Sequence, residues 1–190
     1  MTGTGGVYGL GVDPGSSASL GLVFAADATS PLHREDGLPY FVGAWGVWGA
    51  GHTRRLRRHD GIRAAFSTVG KCPARVCIES PAGGGASSRR NGWQFSVGRS
   101  AGRFEADIER HVSLSEMIAI VPGNVWPKAL GVRYGKRGDG WHRVEEASHR
   151  LANPLVFRRI IGEKAETKAG IERQVCLAES TLIAIYAVSK

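Results

Sequence analysis

Residues 7–15 read VYGLGVDPG, a short run rich in β-branched and apolar residues that ends in a turn sequence at residues 13–15. This pattern predicts a β-strand that stops at Asp13. Two further strands are predicted at residues 20–25 and 40–48, the second with several aromatic side chains. Three short strands in close succession indicate an antiparallel meander.

The rest of the chain alternates between helical and extended patterns. A helix is predicted at residues 53–69, with a buried face formed by Leu56, Ile62, Ala65 and Phe66. The later predicted elements are a strand at 75–78 that ends at Glu79, a loop at 81–92, a helix at 97–110, a strand at 117–121, helical segments at 126–130 and 141–151, and a last helix at 170–188. A meander followed by alternating strands and helices predicts an α/β fold, with a mixed five-stranded sheet flanked by helices.

Length and composition fit one globular domain over residues 1–190. A content of 42% hydrophobic and 22% charged residues excludes a wholly disordered chain. The formal net charge of +8 favours a polyanionic partner or a negative membrane surface. No apolar run approaches the roughly 20 residues that cross a bilayer, and no signal-peptide pattern opens the sequence. A soluble cytoplasmic protein is expected.

The three cysteines are Cys72, Cys77 and Cys176. Cys72 and Cys77 are spaced too widely for a CxxC zinc pattern, and no histidine cluster accompanies them. Free, buried thiols in a reducing compartment are the prediction.

Carboxylates occur where apolar patterns would otherwise continue. Asp13 and Glu79 each end an apolar strand, and Glu179 shares a helical face with Val175 and Leu182. Glu172 lies two turns earlier on the same face, at the edge of any such site. The alternatives are a turn residue for Asp13, an exposed acid for Glu79 and a solvated acid for Glu172.

Three converging carboxylates without cysteine or histidine ligands predict an oxygen-ligated Mg²⁺ or Mn²⁺ site. Phosphodiester hydrolysis commonly uses two such ions about 4 Å apart. Without metal, the close negative charges should raise at least one carboxyl pKa.

Basic residues are concentrated in three parts of the chain, each able to hold phosphates in a salt-dependent way. Trp93 and Phe95 adjoin the second group and could stack on an unpaired base, or instead anchor a glycine-rich loop. The alternative for each basic group is a solvated helix face. The groups are Arg54, Arg55, Arg57, Arg58 and His59; Arg89, Arg90 and Arg99; and Lys136, Arg137, Arg158, Arg159, Lys164 and Lys168.

Several segments together resemble the RuvC-like Holliday junction resolvases of the RNase H-like superfamily. GLGVDPGSSASLGLVF resembles their first strand, turn and second strand, and VCIES resembles their second acidic strand. GRSAGRFEADIER, PGNVWPKALGV and AESTLIAIYA resemble, in order, a following helix, a stretch typical of phage-type relatives and the acidic final helix. The resemblance implies an RNase H-like fold over nearly the whole chain.

By position in these motifs, Asp13, Glu79 and Glu179 would be the catalytic metal ligands. Asp13 would bridge two ions, and the two glutamates would each complete one of them. Lys128 and Lys168 resemble family lysines, and either would stabilise the scissile phosphate. The family implies a homodimer that binds a four-way DNA junction and nicks two strands symmetrically, in a bacterial cell or a phage-infected one.

The sequence departs from the family pattern at three places. The last acid, Glu179, is a glutamate where aspartate is commoner, as happens in phage-type members. Cys176 stands where many RuvC-like enzymes carry an acid or a histidine, which leaves the fourth ligand open. RuvC itself has a phenylalanine soon after its second acid, but no aromatic residue follows Glu79 closely here. Any aromatic side chain that acts as a wedge in the junction would therefore be Trp93 or Phe95.

Three alternatives remain open. A related nuclease would act on flaps, R-loops or single strands, and a DNA-binding protein without catalysis would need only the basic groups. An actin-like or sugar-kinase nucleotide binder would use the turn after Asp13 for phosphates, but such proteins are usually about twice this length.

Overall fold

The structure, a computed structural model, describes residues 5–15, 17–70, 73–80, 88–111, 118–132 and 140–190, with side chains described throughout except at residues 88–95. The strands are β1 (Gly6–Asp13), β2 (Ser19–Ala26), β3 (Tyr40–Gly46), β4 (Ala74–Ser80) and β5 (Ile118–Pro122). The helices are α1 (Gly51–Val69), α2 (Ser88–Ile108), α3 (Val125–Leu130), α4 (His142–His149), α5 (Pro154–Ile161) and α6 (Lys168–Val188).

The five strands form one mixed sheet in the order β3-β2-β1-β4-β5. β1 pairs antiparallel with β2, and β2 pairs antiparallel with β3. β4 runs parallel to β1 on one side and to β5 on the other. The predicted meander, followed by parallel strands with helices between them, is confirmed.

Alternation along β1 divides its side chains between two cores. Leu10 and Val12 face a cluster formed with Ile62 of α1 and Phe104 of α2. The opposite face of the sheet carries a second cluster that includes Cys77 of β4 and Leu182 of α6. Because side chains alternate along a strand, Asp13 lies on the α6 side, together with Gly9 and Gly11.

Glycines allow α6 to lie directly on the sheet. A Cβ at Gly21 would lie 2.5 Å from the backbone nitrogen of Thr181, and one at Gly9 or Gly11 would overlap backbone atoms of α6. Real Cβ atoms do not approach backbone this closely, so larger residues at these positions would push the helix away. The close seat of α6 brings the middle of that helix to the end of β1.

Three details differ from the sequence-based expectations. α2 begins at Ser88, so Trp93 and Phe95 lie in a helix and not in a loop, because an isolated glycine such as Gly92 is tolerated within a helix. Leu56 is 46% exposed, since α1 is buried only from Gly61 onwards. The helix α5 was not predicted.

No helix in the described parts of the chain combines the length and the apolar character that a membrane crossing requires.

Candidate active site

Asp13 and Glu79 end two neighbouring parallel strands. Val12 of β1 pairs with Ile78 of β4, so the next residue on each strand is an acid. Residues 77 and 79 share a face of β4, and Cys77 belongs to the core on the α6 side. Both carboxylates therefore stand at the same end and on the same face of the sheet.

α6 brings two further side chains, Cys176 and Glu179, to this end of the sheet. Ser19 Oγ donates a hydrogen bond to the backbone oxygen of Cys176 at 2.6 Å, which fixes this turn of α6 against β2. A carboxylate oxygen of Asp13, the Cys176 Sγ and a carboxylate oxygen of Glu179 all lie within 4.8 Å of one another. Of the residues that the structure describes, these form the one group of three or more such ligands.

Glu79 stands beside this group and is held by contacts of its own. Trp126 Nε1 donates a hydrogen bond to Glu79 Oε2 at 2.9 Å, and the Trp126 ring is fully buried. Gly123 follows β5, and a Cβ there would clash with Glu79 Oε1. A buried indole and an absent side chain together define where this carboxylate lies.

The carboxyl pKa values show the electrostatic cost of this convergence. Burial, and then the charge of Asp13, raise the pKa of Glu79 to about 7 and that of Glu179 to about 8. Burial also raises the pKa of Asp13, against hydrogen bonds from the Gly15 N–H and the Cys176 thiol. The prediction that close carboxylates would raise at least one pKa is confirmed.

Arg143 of α4 supplies positive charge to the acids. Its Nη1 donates to Glu179 Oε1, and its charge lowers the pKa of Asp13, Glu79 and Glu179. The side chains of Arg143 and Glu179 are only 18% and 14% exposed. The acidic site therefore already contains one positively charged group, the guanidinium of Arg143.

The donor set fits a divalent metal ion. One oxygen from each of two carboxylates and one thiol sulfur lie within 4.8 Å of one another, and a third carboxylate stands beside them. The raised pKa values of Glu79 and Glu179 show that their ionised forms are disfavoured, and a bound cation would stabilise those forms. Asp13, Glu179 and Cys176 could hold such an ion directly, with Glu79 at its side.

Comparison with known proteins identifies the fold. Over 94% of this chain and 91% of the other, the structure matches Thermus thermophilus RuvC in complex with a Holliday junction substrate, with a TM-score of 0.53 and 19% identity. The chain has the RuvC fold. The resemblance drawn from the sequence is thus confirmed at the level of the fold.

Two further solved structures are similar to the chain. A second T. thermophilus RuvC structure has 18% identity and a TM-score of 0.46, covering 94% of this chain and 92% of that one. The yeast mitochondrial Holliday junction resolvase Ydc2 has 14% identity and a TM-score of 0.43, covering 97% of this chain and 80% of that one. No protein-family model matches the sequence, and no curated protein matches it.

Within this RuvC fold, the other predicted ligand and the two predicted lysines lie on exposed surfaces. Glu172 is exposed on an early turn of α6, with Lys168 Nζ 4.0 Å from its Oε1. Lys168 itself is 92% exposed at the start of α6, and Lys128 is exposed on α3. The structure does not bring Glu172 into the group of ligand atoms around Asp13.

A cavity of about 800 Å³ opens next to the end of β1 and runs between α1 and α2. Pro14 and Gly15, directly after Asp13, form part of its wall. Its charged lining residues are Arg54, Arg55, Arg58, Arg99 and Arg103, and this cavity is called the arginine groove below. The groove therefore adjoins the acidic site and carries the opposite charge.

Two arginines of the groove are fixed by hydrogen bonds. Arg54 Nη2 donates to the Gly15 backbone oxygen at 2.6 Å, directly beside the acidic strand end. Arg58 Nε donates to the buried Asp107 at 2.6 Å. Burial, together with the charges of Arg58 and Arg103, lowers the pKa of Arg54. Such mutual repulsion makes the groove attractive to anions.

The remaining basic and aromatic predictions divide between surface contacts and undescribed side chains. Arg57 Nη1 donates to the Trp48 backbone oxygen at 2.9 Å, Arg158 pairs with Glu145, and Lys164 lies 5.9 Å from the centre of the Trp141 ring. The side chains of Arg89, Arg90, Trp93 and Phe95, and the whole of Lys136 and Arg137, lie outside the described residues.

No pattern in the sequence indicates a role for Arg143, Trp126 or Gly123. The expectation of a site without a cysteine was wrong, because the Cys176 Sγ lies in the group with Asp13 and Glu179. The spacing of three residues between Cys176 and Glu179 was the available signal. For Arg143 no comparable signal exists, since a basic residue on a predicted helix is ordinarily a solvated one.

Proposed function

We propose that this protein is a metal-dependent endonuclease that resolves four-way DNA junctions. The observation that carries the proposal is the meeting of Asp13, Glu79 and Glu179 at one end of the sheet, beside the arginine groove. The RuvC fold supports it, since the similar T. thermophilus RuvC was captured with a Holliday junction substrate.

The acidic residues would hold one or two divalent ions, Mg²⁺ or Mn²⁺, through their carboxylate oxygens. When bound, such ions would lower the pKa of the attacking water and offset negative charge on the leaving oxygen. Trp126 and Gly123 keep the Glu79 carboxylate in position. Arg143 limits the repulsion among the acids, and either Lys128 or Lys168 would contact the scissile phosphate once DNA is bound.

The arginine groove would hold the phosphate backbone on its way to the acidic site. Phosphate contacts by arginine position the nucleic acid without reading its sequence. Arg54 links the two regions, because it contacts the residue two positions after Asp13. Trp93 or Phe95, on the helix that forms one wall of the groove, would stack on bases at the branch point.

We further propose that the active form is a homodimer. A four-way junction has two equivalent strands to cut, and a dimer with two-fold symmetry would place one acidic site at each. Paired symmetric nicks then require both subunits.

The deciding experiment is a cleavage assay on labelled four-way junctions, with and without Mg²⁺ or Mn²⁺. Asp13→Asn and Glu179→Gln should each lose cleavage by roughly 100-fold or more while keeping junction binding, because metal-ion activation is lost and the groove is unchanged. Glu166→Gln is the control, since Glu166 is exposed on the segment before α6.

Comparison of substrates tests the junction itself. Four-way junctions should be cut in symmetric pairs, and linear duplexes should stay intact. Preferential cutting of flaps or single strands would show instead that the protein is a related nuclease with a different DNA substrate. Junction binding without cleavage, whichever divalent ion is added, would refute the nuclease activity. The protein would then be a DNA-binding protein without catalysis.

A further inference from the structure

Cys176 brings a sulfur atom into the acidic group at the end of β1. Its Sγ lies within 4.8 Å of carboxylate oxygens of both Asp13 and Glu179, and its thiol hydrogen-bonds Asp13. Cys176 precedes Glu179 by three residues on α6, so both side chains leave the same face of the helix.

The position of this thiol is fixed by the fold. The Ser19 hydroxyl holds the Cys176 backbone oxygen at 2.6 Å, and Gly21 lets the following turn of α6 rest on β2. The side chain is partly accessible, so an ion that reaches Asp13 also reaches the sulfur.

Cys77 offers a comparison within the same core. It is 1% exposed on β4 and lies outside the group formed by Asp13, Cys176 and Glu179. A buried thiol of this kind packs as a small apolar group. Placement among carboxylates therefore distinguishes Cys176 from the other described cysteine.

We propose that Cys176 is a thiolate ligand of the metal held by Asp13 and Glu179, and that the site consequently prefers divalent ions softer than Mg²⁺, in the order Zn²⁺ and Co²⁺ before Mn²⁺, to Mg²⁺ itself. This inference rests on the metal site of the proposed function. On binding, a metal–sulfur bond forms and the thiol proton passes to solvent.

The preference follows from ligand chemistry. Mg²⁺ is a hard ion that binds oxygen and keeps much of its water, so a sulfur atom in its shell contributes little. Softer divalent ions bind thiolate more strongly than Mg²⁺ does. Among first-row ions, the affinity of a given site generally rises from Mn²⁺ to Co²⁺ and beyond. A carboxylate at position 176 would remove this discrimination.

Spectroscopy of the full chain tests the ligation without reference to activity. Adding Co²⁺ to the metal-free protein should produce a sulfur-to-cobalt charge-transfer absorption that saturates with binding. Cys176→Ser should lack this absorption and bind Co²⁺ roughly 10–100-fold more weakly. Cys77→Ala is the matched control and should keep the absorption; Cys72 is retained in every variant.

Cadmium NMR of the unaltered protein gives an answer even if a Cys176 variant fails to fold. A ¹¹³Cd resonance shifted downfield, as sulfur ligation requires, supports the proposal. A resonance in the range of all-oxygen sites, or an absorption that persists in Cys176→Ser, overturns it.

Metal selectivity provides the functional arm of the test. In Cys176→Asp, the ratio of Mg²⁺ to Mn²⁺ concentrations needed for half-saturation should fall by about tenfold or more, measured by Mn²⁺ electron paramagnetic resonance with Mg²⁺ as competitor. An unchanged ratio contradicts the preference.

The two proposals fail in different ways. Sulfur ligation without cleavage of any branched DNA would refute the nuclease and keep the metal site. Cleavage of junctions with an all-oxygen cadmium signal would keep the nuclease and refute the role of Cys176.

Discussion

Asp13, Glu79 and Glu179 stabilise the fold less than neutral side chains of the same shape would. Burial removes water from the three carboxyl groups, and each then raises the free energy of its ionised neighbours. Arg143 offsets part of this cost through its contact with Glu179. Tolerance of such a cost is typical of functional sites.

These raised pKa values predict the pH dependence of stability in the metal-free protein. The native state keeps protons on Glu79 to about pH 7 and on Glu179 to about pH 8, while in the unfolded chain glutamate loses them near its ordinary pKa of 4.5. The native state therefore binds more protons in this window, and the free energy of unfolding falls as pH rises from about 5 to about 8.

Thermal unfolding in EDTA across this pH range measures the effect. Glu179→Gln should lose less stability than the unaltered protein as pH rises, because the amide cannot ionise. The exposed control Glu166→Gln should follow the unaltered protein. Equal pH dependence in Glu179→Gln and the unaltered protein would show that Glu179 is not a source of the decline.

Gly123 controls the position of the Glu79 carboxylate. In Gly123→Ala the new methyl group would clash with Glu79 Oε1, while the hydrogen bond from Trp126 Nε1 holds the other carboxylate oxygen, Oε2. Displacement of a ligand by about 1 Å can cost roughly 100-fold in rate, so junction cleavage should fall by about that factor. The fold should stay intact by circular dichroism.

Gly102→Ala is the matched control for this substitution. A Cβ at Gly102 meets no atom within 4 Å, and the residue lies in the middle of α2. Cleavage should be unchanged in this variant. Full activity in Gly123→Ala would show that the Glu79 carboxylate need not occupy its present position.

At the level of elements, the glycines of β1 and β2 set the distance between the sheet and α6. The helix carries Cys176 and Glu179, while β1 carries Asp13, so this distance determines whether these three side chains meet. Every residue of α6 from Ser180 to Ala187 is buried. This half of the helix is therefore part of the core.

Gly11→Ala should destabilise the protein by separating these elements. Its Cβ would overlap the Ser180 backbone oxygen and the Ala184 nitrogen, and backbone atoms cannot turn aside as a flexible side chain can. We expect a loss of roughly 1–3 kcal/mol in the free energy of unfolding, measured with urea. Metal affinity should fall with it.

Gly98→Ala provides the comparison for Gly11→Ala. Gly98 is exposed on α2 with no atom near its Cβ position, so alanine there should be neutral or stabilise by up to about 1 kcal/mol. A neutral Gly11→Ala would mean that α6 can move outward freely, and the ligand group would then lack a fixed geometry.

At the scale of the whole molecule, the arginine groove adjoins the end of the sheet where Asp13, Glu79 and Glu179 meet. The groove carries five arginines, in a chain with a net charge of +8. This arrangement suits a polyanion whose backbone lies in the groove and whose reacting phosphate meets the acids.

Salt dependence of junction binding tests the groove. Arg55 is exposed and lines the groove, so Arg55→Gln should lower the slope of log affinity against log salt concentration by about one, as for one lost phosphate contact. Binding is measured in the Asp13→Asn background, where the DNA stays uncut. Arg63→Gln, exposed on the same helix outside the groove lining, should leave the slope unchanged.

Sequence by itself determined the order of elements, apart from α5, and pointed to the three acids. Apolar strands that end at Asp13 and Glu79, and an acid within the apolar pattern of the last helix, are local signals that survive without tertiary information. The predicted strands and all predicted helices are confirmed, with α2 longer at its start. The single domain and the dimer stay predictions.

Only the tertiary structure decided which neighbours the acids have. Arg143, Trp126 and Gly123 reach Glu179 and Glu79 from elements distant in the chain, and Cys176 faces Asp13 only because glycines on two strands let α6 approach. Periodicity tells which face of an element is apolar, but the partner of that face depends on packing between elements. For the same reason, Glu172 and Lys168 pair with each other at the exposed start of α6 and do not join the acids.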